Sequence, residues 1–215
     1  MTSSSPQRPV GVFVAFEGGE GGKSTQLTAL AERLRGRGRE VVVTREPGGS
    51  PRAETIRELI LAPSSHDLDA RCEALLFAAA RADHVATVVR PALESGAVVL
   101  CDRYLDSSVA YQGAARSLGE QRVRDLSLWA TDHLVPDLTV VLDIDPRVGL
   151  SRAQDASRLE AEPLDFHDEV RGAFLRFAEQ APERYLVVDA AGDRDTVAAT
   201  IAARVDRLLG IEVSA

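Results

Sequence analysis

Five short apolar runs constrain the fold of this 215-residue chain more than any other feature. They are residues 10–16 (VGVFVAF), 40–44 (EVVVT), 97–101 (AVVLC), 138–142 (LTVVL) and 185–188 (YLVV). None alternates apolar with polar residues, the pattern of strands buried on both faces. Helical spacing fills the intervals. It runs over 23–37, where Leu27, Leu30, Ala31 and Leu34 share a face, and over 53–61. It is longest over 67 to about 93, and it returns at 120–131, from Pro146, over 166–178 and over 196–209. Asp106 or Ser107 is the expected cap of one further helix. Strands alternating with helices need crossover connections, which make a parallel sheet covered on both faces. The expected fold class is therefore α/β, with a five-stranded parallel sheet. Such sheets hold ligands at the carboxyl ends of their strands, so attention falls on Glu17, Arg45, Asp102 and Asp143 and the residues that follow each.

Composition narrows the partners. With 33 acidic residues against 25 basic ones the net charge is −8, the wrong balance for a general binder of nucleic-acid backbones. Two cysteines, Cys72 and Cys101, cannot build a disulfide framework and read as reduced thiols of a cytoplasmic protein. No apolar run reaches the roughly 18 residues of a membrane helix. Residues 1–9 are Ser/Pro-rich with no apolar stretch, and read as a loose tail before one domain of about 10–210. The four histidines show no metal-ligand spacing, and Trp129 is expected in the core.

The first run leads into Glu17-Gly18-Gly19-Glu20-Gly21-Gly22-Lys23-Ser24-Thr25. Strand, glycine loop, Gly-Lys-Ser and helix is the context of a phosphate-binding P-loop. Glycines let successive N–H groups face phosphate oxygens, and the helix start adds its positive dipole end. Lys23 would reach the β- and γ-phosphates and Ser24 would ligate Mg²⁺. Counted from Gly18, this loop is one residue shorter than the usual pattern; counted back from Gly22-Lys23, its first position is Glu17.

The third run ends at Asp102-Arg103-Tyr104-Leu105-Asp106-Ser107-Ser108-Val109-Ala110-Tyr111-Gln112. At a strand tip beside the phosphate loop, Asp102 could hold a Mg²⁺-bound water, and the planar fork of Arg103 could clamp a phosphate. Ser108, Tyr111 and Gln112 fall on one helix face. An Asp–Arg surface pair followed by a polar helix start accounts for these residues equally well when they are taken alone.

This stretch resembles the signature of the thymidylate kinases. Thr44-Arg45-Glu46-Pro47-Gly48-Gly49 is similar to the loop after the second strand in bacterial members. The resemblance continues through residues 75–85 (LLFAAARADHV), Leu142-Asp143, Pro146, Gly149-Leu150 and Arg152. It implies a P-loop nucleoside monophosphate kinase fold and transfer of the γ-phosphoryl group of ATP to dTMP, with Mg²⁺ as cofactor and a homodimer as the working form. It also implies residue roles. Gly18, Gly19, Glu20, Gly21, Gly22, Lys23, Ser24 and Thr25 would hold ATP, and Ser24 and Asp102 the metal. Arg45 and Arg103 would hold the acceptor phosphate, and Pro47 would shape the wall. Phe77 would stack on thymine, Arg81 would meet the base edge, and Ser108 and Gln112 would reach the base. Tyr111 would pack on the deoxyribose, and Glu20 is the nearest match to the acidic residue at the sugar 3′-OH. A lid over about 152–163 would carry Arg152 and Arg158, with Arg158 closing over the transferred group. Another P-loop nucleotide or nucleoside kinase, or a nucleotide-binding protein with an impaired loop, is the alternative reading.

Overall fold

A computed structural model describes residues 11–19, 22–62, 68–152 and 158–211, with Arg152 given by its backbone alone. The five expected strands form: β1 (Val12–Gly18), β2 (Val41–Arg45), β3 (Val98–Asp102), β4 (Leu138–Asp143) and β5 (Tyr185–Asp189). All pairings are parallel and the order is β2-β3-β1-β4-β5. The two-residue period of a strand divides the core. Val14, Phe16, Leu100 and Val140 point to one face, where helices α1 (Lys23–Gly36) and α9 (Arg194–Leu208) cover them with Leu27, Leu30, Leu34, Ile201 and Val205. Phe13, Ala15, Val99 and Cys101 point to the other, under Val89, Tyr104, Phe174 and Phe177. Both faces of the central strands are dry, which is why these strands read as unbroken apolar runs.

The remaining helices are α2 (Pro51–Leu61), α3 (Ala70–His84), α4 (Arg90–Glu94), α5 (Leu105–Ser108), α6 (Glu120–Ala130), α7 (Pro146–Arg152) and α8 (Leu164–Gln180). The long helical pattern over 67–93 is not one regular helix. A π-helical turn, Val85–Val89, joins α3 to α4, and Asp69 caps the start by accepting from the N–H groups of Arg71 and Cys72 at 2.9 and 3.2 Å. The expected cap at Asp106 or Ser107 is also corrected. Helix α5 begins directly after Tyr104, and Asp106 is buried, accepting a 2.7 Å hydrogen bond from the Tyr185 hydroxyl. Trp129, expected in the core, is 79% exposed. No described helix is long and apolar enough to cross a membrane.

Candidate active site

The register sets the tips of β2 and β3 side by side, with Arg45 opposite Asp102 and Asp102 also opposite Phe16 of β1. A cleft of about 350 Å³ opens above these tips. Its floor is Gly22, Lys23, Ser24 and Thr25 at the start of α1, with Asp102 and Arg103 beside them. Arg45, Pro47, Phe77, Ser108, Tyr111 and Gln112 form its walls. These residues, far apart in the sequence, meet because each follows or faces a strand end.

The glycine loop is built for close approach. Gly18 has φ +113, and a Cβ there would collide with the Leu142 carbonyl oxygen. Gly22 has φ +83 and precedes α1, whose first turn carries no acidic residue to compete for an anion. Lys23 is buried and donates to the carbonyl oxygens of Gly18 and Gly19 at 3.2 and 2.6 Å, so its ammonium is held over the loop. Gly19 also borders a smaller cavity lined by Pro146, Gly149 and Leu150. Glu20 and Gly21 lie outside the described residues.

Beside Lys23, Ser24 Oγ donates to Asp102 Oδ2 at 3.2 Å. Asp102 Oδ1 is buried without a hydrogen-bond partner. An unsatisfied carboxylate oxygen next to a serine hydroxyl at a phosphate loop is the hard-oxygen donor set that Mg²⁺ takes, completed by waters and phosphate. The expected metal residues therefore fit the ion.

Arg103 adopts φ +66, an uncommon conformation for a residue with a side chain. Its Nη1 lies 3.2 Å from Gly18 O and 3.4 Å from both Ser107 Oγ and Tyr111 Oη, and the guanidinium stands over the Tyr111 ring at 5.4 Å. The turn is held from below by Glu17, near the end of β1. Glu17 is fully buried and accepts from Tyr104 N at 2.8 Å, Ser107 N at 3.2 Å and Ser107 Oγ at 2.5 Å. Burial, with the nearby Asp106 charge, pushes its carboxyl up to about 8 against the pull of Ser107, Arg103 and the Tyr104 N–H.

On the opposite wall Arg45 pairs with Glu54 at 3.0 and 2.9 Å, and Glu54 also accepts from Gly49 N at 2.8 Å. The Gly49 N–H and the Arg45 guanidinium hold the Glu54 carboxyl below its usual range. Arg57, not singled out from sequence, lines the same wall and donates to Pro47 O at 2.8 Å. Its pKa is lowered, by burial first and then by the charges of Arg45 and Arg103. Three guanidinium groups that repel one another across a cleft form a site for an anion. The only sequence signal for Arg57 was a basic residue one turn beyond Glu54 in a helix that starts at the Gly48-Gly49 turn.

Two expected site residues are engaged by protein partners. Arg81, expected at the base edge, is 2% exposed, and all three of its guanidinium nitrogens are engaged. Nε donates to Glu46 at 2.7 Å, Nη1 to Ser127 at 3.1 Å, and Nη2 to Tyr104 O at 3.2 Å and Ser108 Oγ at 3.0 Å. It stands behind the wall and supports Ser108. The same Glu46 meets His84 Nδ1 at 2.9 Å, which makes that histidine a helix-packing residue. Arg158, expected over the transferred phosphoryl group, instead donates to Glu73 at 2.5 Å and to Ile60 O at 3.4 Å. A buried carboxylate attracts the nearest mobile guanidinium more strongly than open solvent does. Nothing is described of residues 153–157 or of the Arg152 side chain. At the fourth strand end Asp143 is paired with Arg171 at 2.6 and 3.0 Å.

Comparison with known proteins agrees with this arrangement. The family described as "Thymidylate kinase" matches residues 16–201. A protein named thymidylate kinase from Clavibacter sepedonicus is 58% identical over 210 residues, 95% of this chain and 99% of its own. One from Cutibacterium acnes is 49% identical over 200 residues, 93% and 98% of the two chains. The crystal structure of thymidylate kinase from Ehrlichia chaffeensis superposes with a TM-score of 0.74 at 29% identity, covering 93% of this chain and 98% of that one.

Proposed function

The chain belongs to the thymidylate kinase family and transfers the γ-phosphoryl group of ATP to dTMP, giving dTDP and ADP; we propose that Lys23, Ser24 and Asp102 serve the donor end of its cleft and Arg45, Arg57, Arg103, Phe77 and Gln112 the acceptor end. The observation that carries this division is the convergence of Arg45, Arg57 and Arg103 on one cleft, with Arg103 and the lysine of the glycine loop meeting at Gly18 O. A dTMP phosphate bound by the three arginines would present its oxygen to the γ-phosphorus. That oxygen forms the new P–O bond as the bond to the ADP oxygen breaks, and no protein nucleophile takes part. The protein's task is alignment and neutralisation of charge. Lys23 balances charge on the departing side, and Arg103, fixed by Glu17 and Tyr111, does so on the attacking side. Ser24 and Asp102 would hold Mg²⁺, which when bound supplies further neutralisation of the β- and γ-phosphate oxygens.

Phe77, on the wall formed by α3, would stack on thymine, with Ser108 and Gln112 at the base and Tyr111 against the deoxyribose. Stacking of a base on an aromatic ring contributes about 1–3 kcal/mol. Replacing Phe77 by alanine should therefore raise KM for dTMP about tenfold while KM for ATP stays within about twofold. Steady-state kinetics with each substrate varied in turn decides this, and an equal rise in both would remove Phe77 from the acceptor site.

A lid over about 152–163 and a homodimer belong to the same proposal. The dimer is supported by an apolar surface where α3 packs beside α6, on which Trp129 is 79% and Leu75 57% exposed. Sedimentation should show twice the monomer mass, and Trp129→Glu should shift the protein to monomer; a monomeric natural chain contradicts the proposal. Cytoplasmic residence is supported by the two free thiols, Cys72 and Cys101, and is checked by finding the activity in the soluble cell fraction.

A further inference from the structure

Glu73 has no part in the chemistry above, yet it is fully buried one helical turn before Phe77. A buried carboxylate needs partners, and three donors meet this one. Arg158 Nη2 lies 2.5 Å from Oε2, Arg116 Nε 3.5 Å from Oε1, and Gln112 Nε2 donates to Oε1 at 2.8 Å. The two arginines balance the charge, so Gln112 is not required for that purpose. The hydrogen bond acts on Gln112 instead. A carboxylate only accepts, whereas a side-chain amide has one donor end and one acceptor end. Gln112 must turn its NH₂ to Glu73, which leaves Oε1 as the group it offers to the cleft it lines with Phe77.

We propose that Glu73 is a specificity-positioning residue, locking the Gln112 amide so that an acceptor faces the base and selects a pyrimidine whose N3 carries hydrogen, as in thymine and uracil, against cytosine. The proposal rests on the placement of the base between Phe77 and Gln112. Cytosine has a bare N3 and would set acceptor against acceptor, leaving both unpaired. Rotating the Gln112 amide cannot relieve the mismatch, because its oxygen would then face the Glu73 oxygen.

The test is the ratio of kcat/KM for dTMP to that for dCMP in the natural chain, Glu73→Gln, Gln112→Leu and the double variant. In Glu73→Gln the closer cation is Arg158, so the oxygen of the new amide stays with it at the Oε2 position and the NH₂ takes the Oε1 position, facing Gln112, with Arg116 Nε farther off at 3.5 Å. Gln112 must then flip and offer NH₂ to the cleft, which suits cytosine. The expected result is a ratio at least about tenfold lower, with kcat/KM for dCMP rising. Gln112→Leu should lower the ratio too, and adding Glu73→Gln to it should change the ratio by less than about twofold. An equal fall for both substrates in Glu73→Gln overturns the lock, as does a full shift that persists in the Gln112→Leu background. A ratio unmoved by Gln112→Leu removes the base from Gln112, and the lock falls with that placement. Should Glu73→Gln fail to fold, Glu73→Asp withdraws the acceptor by one methylene and should lower the ratio in the same direction. An unchanged ratio there is equally contrary.

Discussion

Replacement of Lys23 by methionine is expected to lower kcat for dTDP formation by about 10³-fold, while KM for dTMP moves by less than about threefold. Methionine preserves the length and much of the apolar stem, so the buried position beside the glycine loop stays filled. What disappears is the ammonium that Gly18 O and Gly19 O hold at 3.2 and 2.6 Å. Charge builds on the oxygens between the β- and γ-phosphorus as the phosphoryl group departs, so a cation fixed beside them stabilises the transition state more than the bound nucleotide. The split between kcat and KM is the informative part. Lys23 is held at the glycine loop, the proposed donor end, and its loss should leave acceptor binding alone. Steady-state kinetics with a melting curve of the variant separates this from unfolding, and a variant that keeps a tenth or more of natural turnover contradicts the role.

The second large effect is at Arg103. Arg103→Lys keeps the charge yet should lower kcat/KM for dTMP by about 10²-fold or more, with KM for ATP changed little. The guanidinium stands over the Tyr111 ring at 5.4 Å, with Nη1 near Gly18 O, Ser107 Oγ and Tyr111 Oη. A lysine ammonium is a point charge on a flexible stem and can neither lie flat over the tyrosine ring nor grip two phosphate oxygens. The backbone contributes as well. Arg103 holds φ +66 in a turn braced by Glu17, which accepts from the amides of Tyr104 and Ser107 just beyond it, and by the bond from Arg103 N to Phe16 O at 2.8 Å. Near-natural kcat/KM for Arg103→Lys would mean that charge alone suffices.

The sheet was legible in the sequence because its central strands are buried on both faces and so stand out as unbroken apolar runs. The phosphate loop and the Asp102-Arg103 tip were legible because they carry unusual residue types at fixed spacing next to those strands. Other features depend on tertiary contacts that periodicity does not encode. The π-helical turn at Val85–Val89 leaves apolar spacing almost intact. Trp129 shares the exposed face of its helix with Gln121, Arg122 and Asp125, and its bulk alone suggested burial. Arg81 and Arg158 read as site residues, yet each is settled by a buried opposite charge from a distant segment. Arg57 carries no motif, and its place in the cleft follows only from how α2 lies against the β2 tip.

A phosphate loop one residue shorter than the usual pattern is expected to support phosphoryl transfer to dTMP. The most direct test is the steady-state rate of dTDP formation from ATP, Mg²⁺ and dTMP by the natural chain, beside a variant with one alanine inserted between Gly21 and Gly22. Sustained turnover of dTMP by the natural chain, slowed by the insertion, is the predicted result. A natural chain that binds dTMP but forms no dTDP, and that gains activity on insertion, would contradict it.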